Sequence, residues 1–390
     1  MPDGLLWGQP SPRRIPQPHM DGAQSRTGAI VPGAFQKGRA ALSNPANRFE
    51  SAIAEPFDDG WDTLSEDLVD MPPIRTQLIR EASRSALTYN DSPDIGFDRS
   101  LNPYRGCEHG CIYCYARPSH AYLGFSPGLD FETKLMFKPD MAALLEKELS
   151  KPGYVPRPVA LGANTDPYQP VERRLRLTRE VLEVLERFNH PVTVVTKSAG
   201  VLRDIDILAR MAERNLAQVA ISVTTLDSNL ARRMEPRAAT PMRRIGAIAE
   251  LSRAGIPTAV LAAPMIPAIN DMELERILSA GANAGAKRAG YVLLRLPLEL
   301  RQIFEEWVQK HFPDRARKVL SLIRDTRGGA TYQSDFHTRQ TGTGVYAGLL
   351  AQRFARSVES LGLVRRGGGT QGLDCSHFQV PGTAVQPALL

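Results

Sequence analysis

Three of the chain's four cysteines, Cys107, Cys111 and Cys114, fall within eight residues in the spacing C-x3-C-x2-C. Thiolates are natural ligands of soft metals and of iron–sulfur clusters. A four-iron cluster takes four ligands, and proteins usually supply four thiolates. A tight group of three leaves one iron open, and an open metal position is where a small molecule binds, as at catalytic zinc. Structural zinc is the rival reading. It needs a fourth ligand, and the nearest histidines, His109 and His120, complete no familiar zinc spacing. A disulfide framework fits least, because four cysteines in 390 residues without a secretory segment do not make an oxidised scaffold.

Other elements must hold that loop and bring partners to it. Apolar or β-branched runs recur roughly every thirty residues, at 158–163, 191–197, 219–224, 258–262 and 291–296. Helical periodicity fills the gaps, as in Leu177, Val181, Val184, Leu185 and Phe188. This is the rhythm of a parallel sheet with right-handed crossovers. A short strand leading into Cys107 makes six. Periodicity alone leaves a barrel and a doubly wound sheet equally open. Parallel α/β folds carry their functional groups at the carboxyl ends of strands. That rule singles out Asn164, Thr165 and Asp166, then Lys197 and Ser198, then Ser222 and Thr224, and finally Pro264–Pro267 with Asn270 and Asp271.

Residues 1–63 are rich in Pro and Gly and read as a flexible or extended arm. The α/β core is expected over 64–298, a helical cap over 299–380 and a mobile tail over 381–390. Hydrophobic residues make up 42% and charged residues 23%, ordinary for a globular protein. No apolar run reaches membrane-spanning length; prolines interrupt the nearest, Ile256–Ile269. The expectation is a cytoplasmic protein with no membrane partner. A net charge of +6 permits nucleic-acid binding without requiring it. Arginines gather at 173, 174, 176 and 179, at 232, 233 and 237, and at 243 and 244. Solvated helix faces explain them as readily as anion sites.

The pattern C-x3-C-x-aromatic-C, here Cys107, Cys111, Tyr113 and Cys114, resembles the cluster motif of the radical S-adenosylmethionine superfamily. The segment Asn164-Thr165-Asp166-Pro167-Tyr168-Gln169-Pro170 resembles the subgroup related to spore photoproduct lyase, described as DNA repair photolyase-like. So do Gly38-Arg39-Ala40 and the stretch from Asn44 to Glu50, and the resemblance runs from about Arg39 to Asp374. It implies a partial (βα)6 barrel with an extended N-terminal arm and a helical C-terminal cap. It also implies a [4Fe-4S] cluster on the three cysteines and S-adenosyl-L-methionine (SAM) at the open iron. The activity implied is reductive cleavage of SAM to a 5′-deoxyadenosyl radical that abstracts hydrogen. An electron donor such as flavodoxin or ferredoxin would be needed, and nucleic acid is the implied substrate class. A small molecule or peptide substrate is the alternative, and a non-catalytic zinc module the weaker one.

On that resemblance the loop Asn164, Thr165 and Asp166 contacts the cofactor, Asn164 and Thr165 meeting its ammonium end, and Lys197 meets its carboxylate, with Arg237 the alternative cation. Ser222 meets the ribose; Tyr113 and the Met265–Pro267 segment meet the adenine. Each has a plainer reading. Thr165 and Asp166 could form a turn capping the helix near Glu172. Lys197 could serve a surface ion pair, and Ser222 a neighbouring backbone group. Glu235 and Arg237 could simply pair with each other. Tyr115 and His120 are expected to pack around the cluster. Cys375 could reach the site as a hydrogen-atom donor, the part a cysteine plays in spore photoproduct lyase, or be a free thiol on the cap.

Overall fold

The computed structural model describes residues 38–49, 74–365 and 372–382. The rest of the expected arm and most of the tail lie outside the described residues. The chain opens with three short strands, β1 (Gln77–Arg80), β2 (Thr88–Tyr89) and β3 (Arg99–Leu101). Next come β4 (Tyr104–Arg105), helix α1 (Leu129–Thr133) and β5 (Lys134–Phe137). The regular alternation follows: α2 (Met141–Leu149), β6 (Val159–Leu161), α3 (Glu172–Leu175), α4 (Leu177–Arg187), β7 (Val192–Thr196) and α5 (Ile205–Glu213). It continues through β8 (Ala217–Ser222), α6 (Ser228–Met234), α7 (Pro241–Arg253), β9 (Thr258–Met265), α8 (Leu274–Asn283) and β10 (Arg288–Leu293). Helices α9 (Leu300–His311), α10 (Pro313–Asp325) and α11 (Gly344–Ser360) then lead to β11 (Val364–Arg365).

The main sheet has eight strands in the order β11-β10-β9-β8-β7-β6-β3-β2. All neighbours are parallel except β2 with β3. From β3 to β10 spatial order repeats chain order, so every crossover steps the same way. With right-handed crossovers, all the connecting helices then cover one face. A doubly wound sheet reverses its strand order partway and is excluded. The sheet is open, with β2 and β11 as its edges. The expectation of six strands therefore needs amending by an added strand at each edge. A second sheet, β1-β5-β4, was not foreseen, because its strands are two to four residues long and show no alternation. It carries the chain from β4 directly into Cys107.

Alternation along the strands sorts the two faces. Val192, Val194, Val219, Ile221, Val260, Ala262, Ala289 and Leu293 pack into the core beneath the helices. The intervening residues, among them Thr193, Gln218, Ala220, Ser222 and Gly290, turn to the other face and are small or polar. A second core forms beside the cysteine loop from Ile112, Met234, Ile266, Leu296, Phe304, Trp307 and Val308. Helices α9 and α10 thus pack against the carboxyl ends of the strands, whereas α11 packs in the main core through Ala347, Leu350 and Phe354. No helix among the described residues is long and apolar enough to cross a membrane.

One latch joins the two ends of the parallel run. Asp94, in the turn before β3, takes Arg339 Nε at 2.7 Å and pairs with its Nη2. Gln340 Nε2 donates to the Asp94 carbonyl at 3.2 Å, and the Gln340 carbonyl accepts the N–H of Leu293 in β10 at 2.8 Å. Asp94→Asn should lower stability by about 1–3 kcal/mol in urea denaturation, because a charged, mostly buried acceptor is lost. An unchanged midpoint would show that these edges are held by other contacts.

Candidate active site around the cysteine loop

The chain between Gly106 and Arg117 folds as consecutive tight turns. The N–H of Gly110 bonds the Cys107 carbonyl, that of Cys114 the Cys111 carbonyl, and that of Arg117 the Cys114 carbonyl. Gly106 (φ 76°) and Gly110 (φ 65°) take left-handed conformations. A Cβ on Gly106 would lie 2.9 Å from the Phe131 carbonyl oxygen, and one on Gly110 would lie 2.7 Å from Glu132 Oε2. Only glycine fits there without strain.

Arg117 organises this loop from within. Its guanidinium donates to the carbonyls of Cys111 (2.9 Å), Gly110 (3.2 Å), Pro127 (3.2 Å) and Gly128 (2.8 Å), and to Glu132 Oε1 (2.5 Å). Both ion-pair side chains are 0% exposed. Glu132 also accepts the N–H groups of Ala40 (3.2 Å) and Ala41 (3.0 Å), while Arg39 donates to its carbonyl at 2.6 Å. Residues 38–49 therefore have no helix or strand, yet they pack against the loop with Ala40, Ala41 and Leu42 buried.

The three thiols are not disulfide-bonded; Cys107 (6% exposed) and Cys111 (8%) are buried and Cys114 partly so. Burial pushes all three thiols up; Cys111 and Cys114 raise Cys107 further, and Cys114 raises Cys111. Cys114 packs against both the apolar cluster that holds Cys107 and the core that holds Cys111. Backbone N–H groups of His109, and of Ala116 and Arg117, point at the sulfurs of Cys107 and Cys114 respectively. Such contacts help set the potential of iron–sulfur centres. Among the described residues, no three His, Cys, Asp or Glu side chains converge as a single ion requires. A cubane takes each thiolate on a different iron, so its ligands need not converge on one point. The donor set thus fits a three-thiolate cluster better than a zinc ion.

The segment 164–170 brackets the loop. Gln169 is fully buried; its Oε1 accepts the Glu108 N–H at 2.8 Å and its Nε2 donates to the Gly106 carbonyl at 3.3 Å. Thr165 Oγ1 donates to the Tyr104 carbonyl at 2.8 Å, and the N–H groups of Asn164 and Thr165 reach Asn102 Oδ1 at 3.0 and 3.4 Å. Asp166 receives Thr196 Oγ1 and the Lys197 N–H, both at 2.7 Å, and lies 3.3 Å from His109 Nδ1 without hydrogen-bond alignment. Burial would raise its carboxyl, but His109 and these donors hold it well below the usual carboxylate range. Thr165 and Asp166 thus join β4, β6, β7 and the cysteine loop. The turn reading is right as far as the Tyr168 N–H, which Asp166 Oδ1 accepts at 2.9 Å.

Lys197 Nζ lies 5.6 Å from the Tyr113 ring centroid and has no carboxylate partner among the described residues, so the surface ion pair is not formed. Its charge acts on Cys111 and Cys114. Arg237, the alternative cation, is engaged with Glu108 at 3.0 Å, and Glu108 also accepts Thr76 Oγ1 at 2.6 Å. Glu235 does not pair with Arg237. It is buried against Arg244, with Tyr113 Oη and Thr224 Oγ1 also donating to it. Ser222 Oγ donates to the Ala263 carbonyl at 2.9 Å. The Met265–Pro267 segment is buried, and Asn270 ties it to the end of β8 through the Thr224 carbonyl (2.6 Å) and the Ile266 N–H (2.6 Å). Tyr115 is 48% exposed, bonds the Ala163 carbonyl and carries Arg295 over its ring at 5.1 Å. Arg295 has no carboxylate partner among the described residues, and its buried Nε donates to nothing.

Cys375 lies at the opposite end of the sheet. Asp374 bonds the carbonyl of Asn215, which precedes β8, and Phe378 packs on His190, which precedes β7. The five residues of β7 alone separate the two ends by about 16 Å. Cys375 is therefore too far from the cysteine loop to serve there as a hydrogen-atom donor. A surface hollow lined by Ser252, Pro257, Asn283 and Lys287 also lies at this far end, away from the cysteines.

Arg117→Ala should destabilise even the metal-free protein by about 3–5 kcal/mol in chemical denaturation, because it strands a buried carboxylate. A loss below about 1 kcal/mol, the scale of an exposed pair, would contradict the organising role. Burial also holds the pKa of His120 and of His190 down at about 4. Unfolded histidines titrate near 6.5, so this stabilisation is complete above about pH 6.5 and is lost as the pH falls toward 4. Between pH 7 and pH 4.5, His120→Asn should lose about 2 kcal/mol less than the parent chain. Equal losses would show that His120 is not buried neutral.

A model of the Radical SAM superfamily matches residues 101–280, from β3 into α8. Uncharacterized proteins of Mycobacterium bovis (Mb2609c) and Mycobacterium tuberculosis H37Rv (Rv2578c) are each 36% identical over 232 residues, covering 59% of this chain and 68% of theirs. An uncharacterized protein of Methanocaldococcus jannaschii (MJ0683) is 25% identical over 173 residues, 44% of this chain and 62% of that one. Among solved structures, spore photoproduct lyase complexed with dinucleoside spore photoproduct matches with a TM-score of 0.52 at 15% identity, over 74% of this chain and 81% of that chain, a likeness of fold. With its cysteine loop, its sequentially ordered sheet and these matches, the chain belongs to the radical SAM superfamily.

Proposed function

We propose that the chain is a hydrogen-abstracting radical SAM enzyme whose substrate is nucleic acid, acting in the cytoplasm where its thiols stay reduced. Its core would be a partial (βα)6 barrel, curved so that the Asp94–Arg339 latch spans the gap between its edges. When bound, the cluster and SAM supply a 5′-deoxyadenosyl radical by one-electron reductive cleavage of the sulfonium. Cys107, Cys111 and Cys114 would hold the cluster.

The observation that carries this reading is the distribution of unpaired charge. Around the cysteine loop Glu108, Glu132, Asp166 and Glu235 are all engaged by protein donors. Lys197 and Arg295 are cations without carboxylate partners among the described residues. Lys197, held by its own N–H on Asp166, would take the SAM carboxylate. Asn164, whose side-chain amide is not used by the fold, would take the ammonium. Ser222 keeps a lone pair for a ribose hydroxyl. Arg295 is then left for an anionic group of the substrate, and a phosphodiester supplies one at each nucleotide. The bound dinucleoside in the fold neighbour makes nucleic acid the first class to try.

Anaerobically reconstituted protein should form methionine and 5′-deoxyadenosine from SAM, and Cys111→Ala should form neither. Lys197→Ala should raise the KM for SAM about tenfold or more, the scale of a lost charge-assisted contact. Arg295→Ala should leave that KM unchanged and weaken salt-dependent binding of a single-stranded oligonucleotide. No binding by the parent protein at low salt would remove nucleic acid from the reading. Turnover by Cys111→Ala would remove the chemistry.

A further inference from the structure

A one-electron reduction needs a donor, and the structure carries a surface built to receive one. Arg232 and Arg233 are exposed on α6, and Lys310 is exposed at the end of α9. Arg315 is exposed on the first turn of α10. Arg233 lies 6.0 Å from the Phe312 ring, and the Arg315 N–H bonds the Phe312 carbonyl at 3.0 Å, so these groups share one surface. Arg232, Arg233 and Arg315 have no carboxylate partner among the described residues. Asp314 is the acid beside them in sequence.

Directly beneath this surface lies the cysteine loop. The Met234 carbonyl, one residue beyond Arg233, accepts the N–H of Ile112 at 3.0 Å, and Ile112 adjoins Cys111. The Arg233 carbonyl accepts Trp307 Nε1 at 3.1 Å. Trp307, Met234, Ile112 and Cys111 belong to one apolar core. A hydrogen bond therefore links the patch-bearing helix to the segment that holds Cys111, through a packed apolar core. Tyr113 belongs to the same core, and its ring carries Lys197 on the inner face, at the end of β7. A substrate must touch that inner face, whereas an electron can cross packed side chains. This favours an electron carrier over nucleic acid as occupant.

We propose that Arg232, Arg233, Lys310 and Arg315 form the docking surface for an acidic one-electron carrier protein of flavin or iron–sulfur type. The reduced carrier loses one electron and the cluster gains it; no atom is transferred. The inference rests on the radical SAM reading above and specifies its partner.

The test uses cluster-loaded full-length protein and a purified flavodoxin as probe. Calorimetric titration at low ionic strength should show binding that Arg232→Glu/Arg233→Glu weakens about tenfold, with the difference shrinking as salt is added. Stopped-flow reduction of the cluster by flavodoxin should slow in parallel, while reduction by dithionite is unchanged. Arg173→Glu/Arg174→Glu, on the other exposed arginine cluster, should behave as the parent protein. The proposal is overturned if the 232/233 variant binds and accepts electrons normally, or if the 173/174 variant fails instead. It is also overturned if the 232/233 variant loses only oligonucleotide binding. Failure of the parent protein to take up iron and sulfide would sink the radical SAM reading itself, a result distinct from these.

Discussion

The buried ion pair between Arg117 and Glu132 is the constraint on which the rest of the site depends. Two charges with no solvent exposure are stable only when their remaining donors and acceptors are satisfied. Here the satisfying groups are the carbonyls of the cysteine loop on one side and the backbone of residues 39–41 on the other. The pair therefore holds in one geometry two segments separated by about seventy residues of chain. It also explains Gly110, whose missing side chain leaves room for the Glu132 carboxylate. A hydrophobic pair of equal volume could stabilise as well, but it could not bind four carbonyls and so could not shape the loop.

A second set of contacts ties the loop to the sheet. Gln169 reaches both residues flanking Cys107, and Asp166 holds the backbone of Lys197 while facing His109. The end of β7 is thereby tied to the cysteine loop. The acids near the loop are occupied by these tasks, and Lys197 and Arg295 have no carboxylate partner among the described residues. On the function proposed above, carboxylates and amides would form the scaffold of the site and the two cations its recognition groups.

The regular part of the fold was legible in the sequence. Strands β6 to β10 announce themselves through buried, β-branched or apolar runs, and the intervening helices through their 3.6-residue period. The cysteine spacing was equally plain. What stayed hidden depends on distant partners. Glu132 sits in a five-residue helix and shows its role only once residues 39–41 fold onto it. Gln169 lies inside a segment already singled out, yet its contact with Gly106 spans sixty-three residues. The same blindness misassigned Glu235, whose partner is Arg244 on α7 rather than the nearer Arg237. Cys375 was ambiguous because sequence does not say which end of a sheet a terminal segment covers. The arginine clusters needed coordinates to divide them into paired groups, such as Arg179 with Asp204, and unpaired ones.

On the proposed reading, three thiolates on one clamped loop hold a four-iron cluster whose fourth iron is reserved for SAM. Mössbauer spectroscopy of protein reconstituted with ⁵⁷Fe under anaerobic conditions tests it most directly. Three iron sites should stay unchanged when SAM is added, while the parameters of the fourth shift toward a higher coordination number. Four irons that ignore SAM, or a preparation that holds no cubane, would contradict the account.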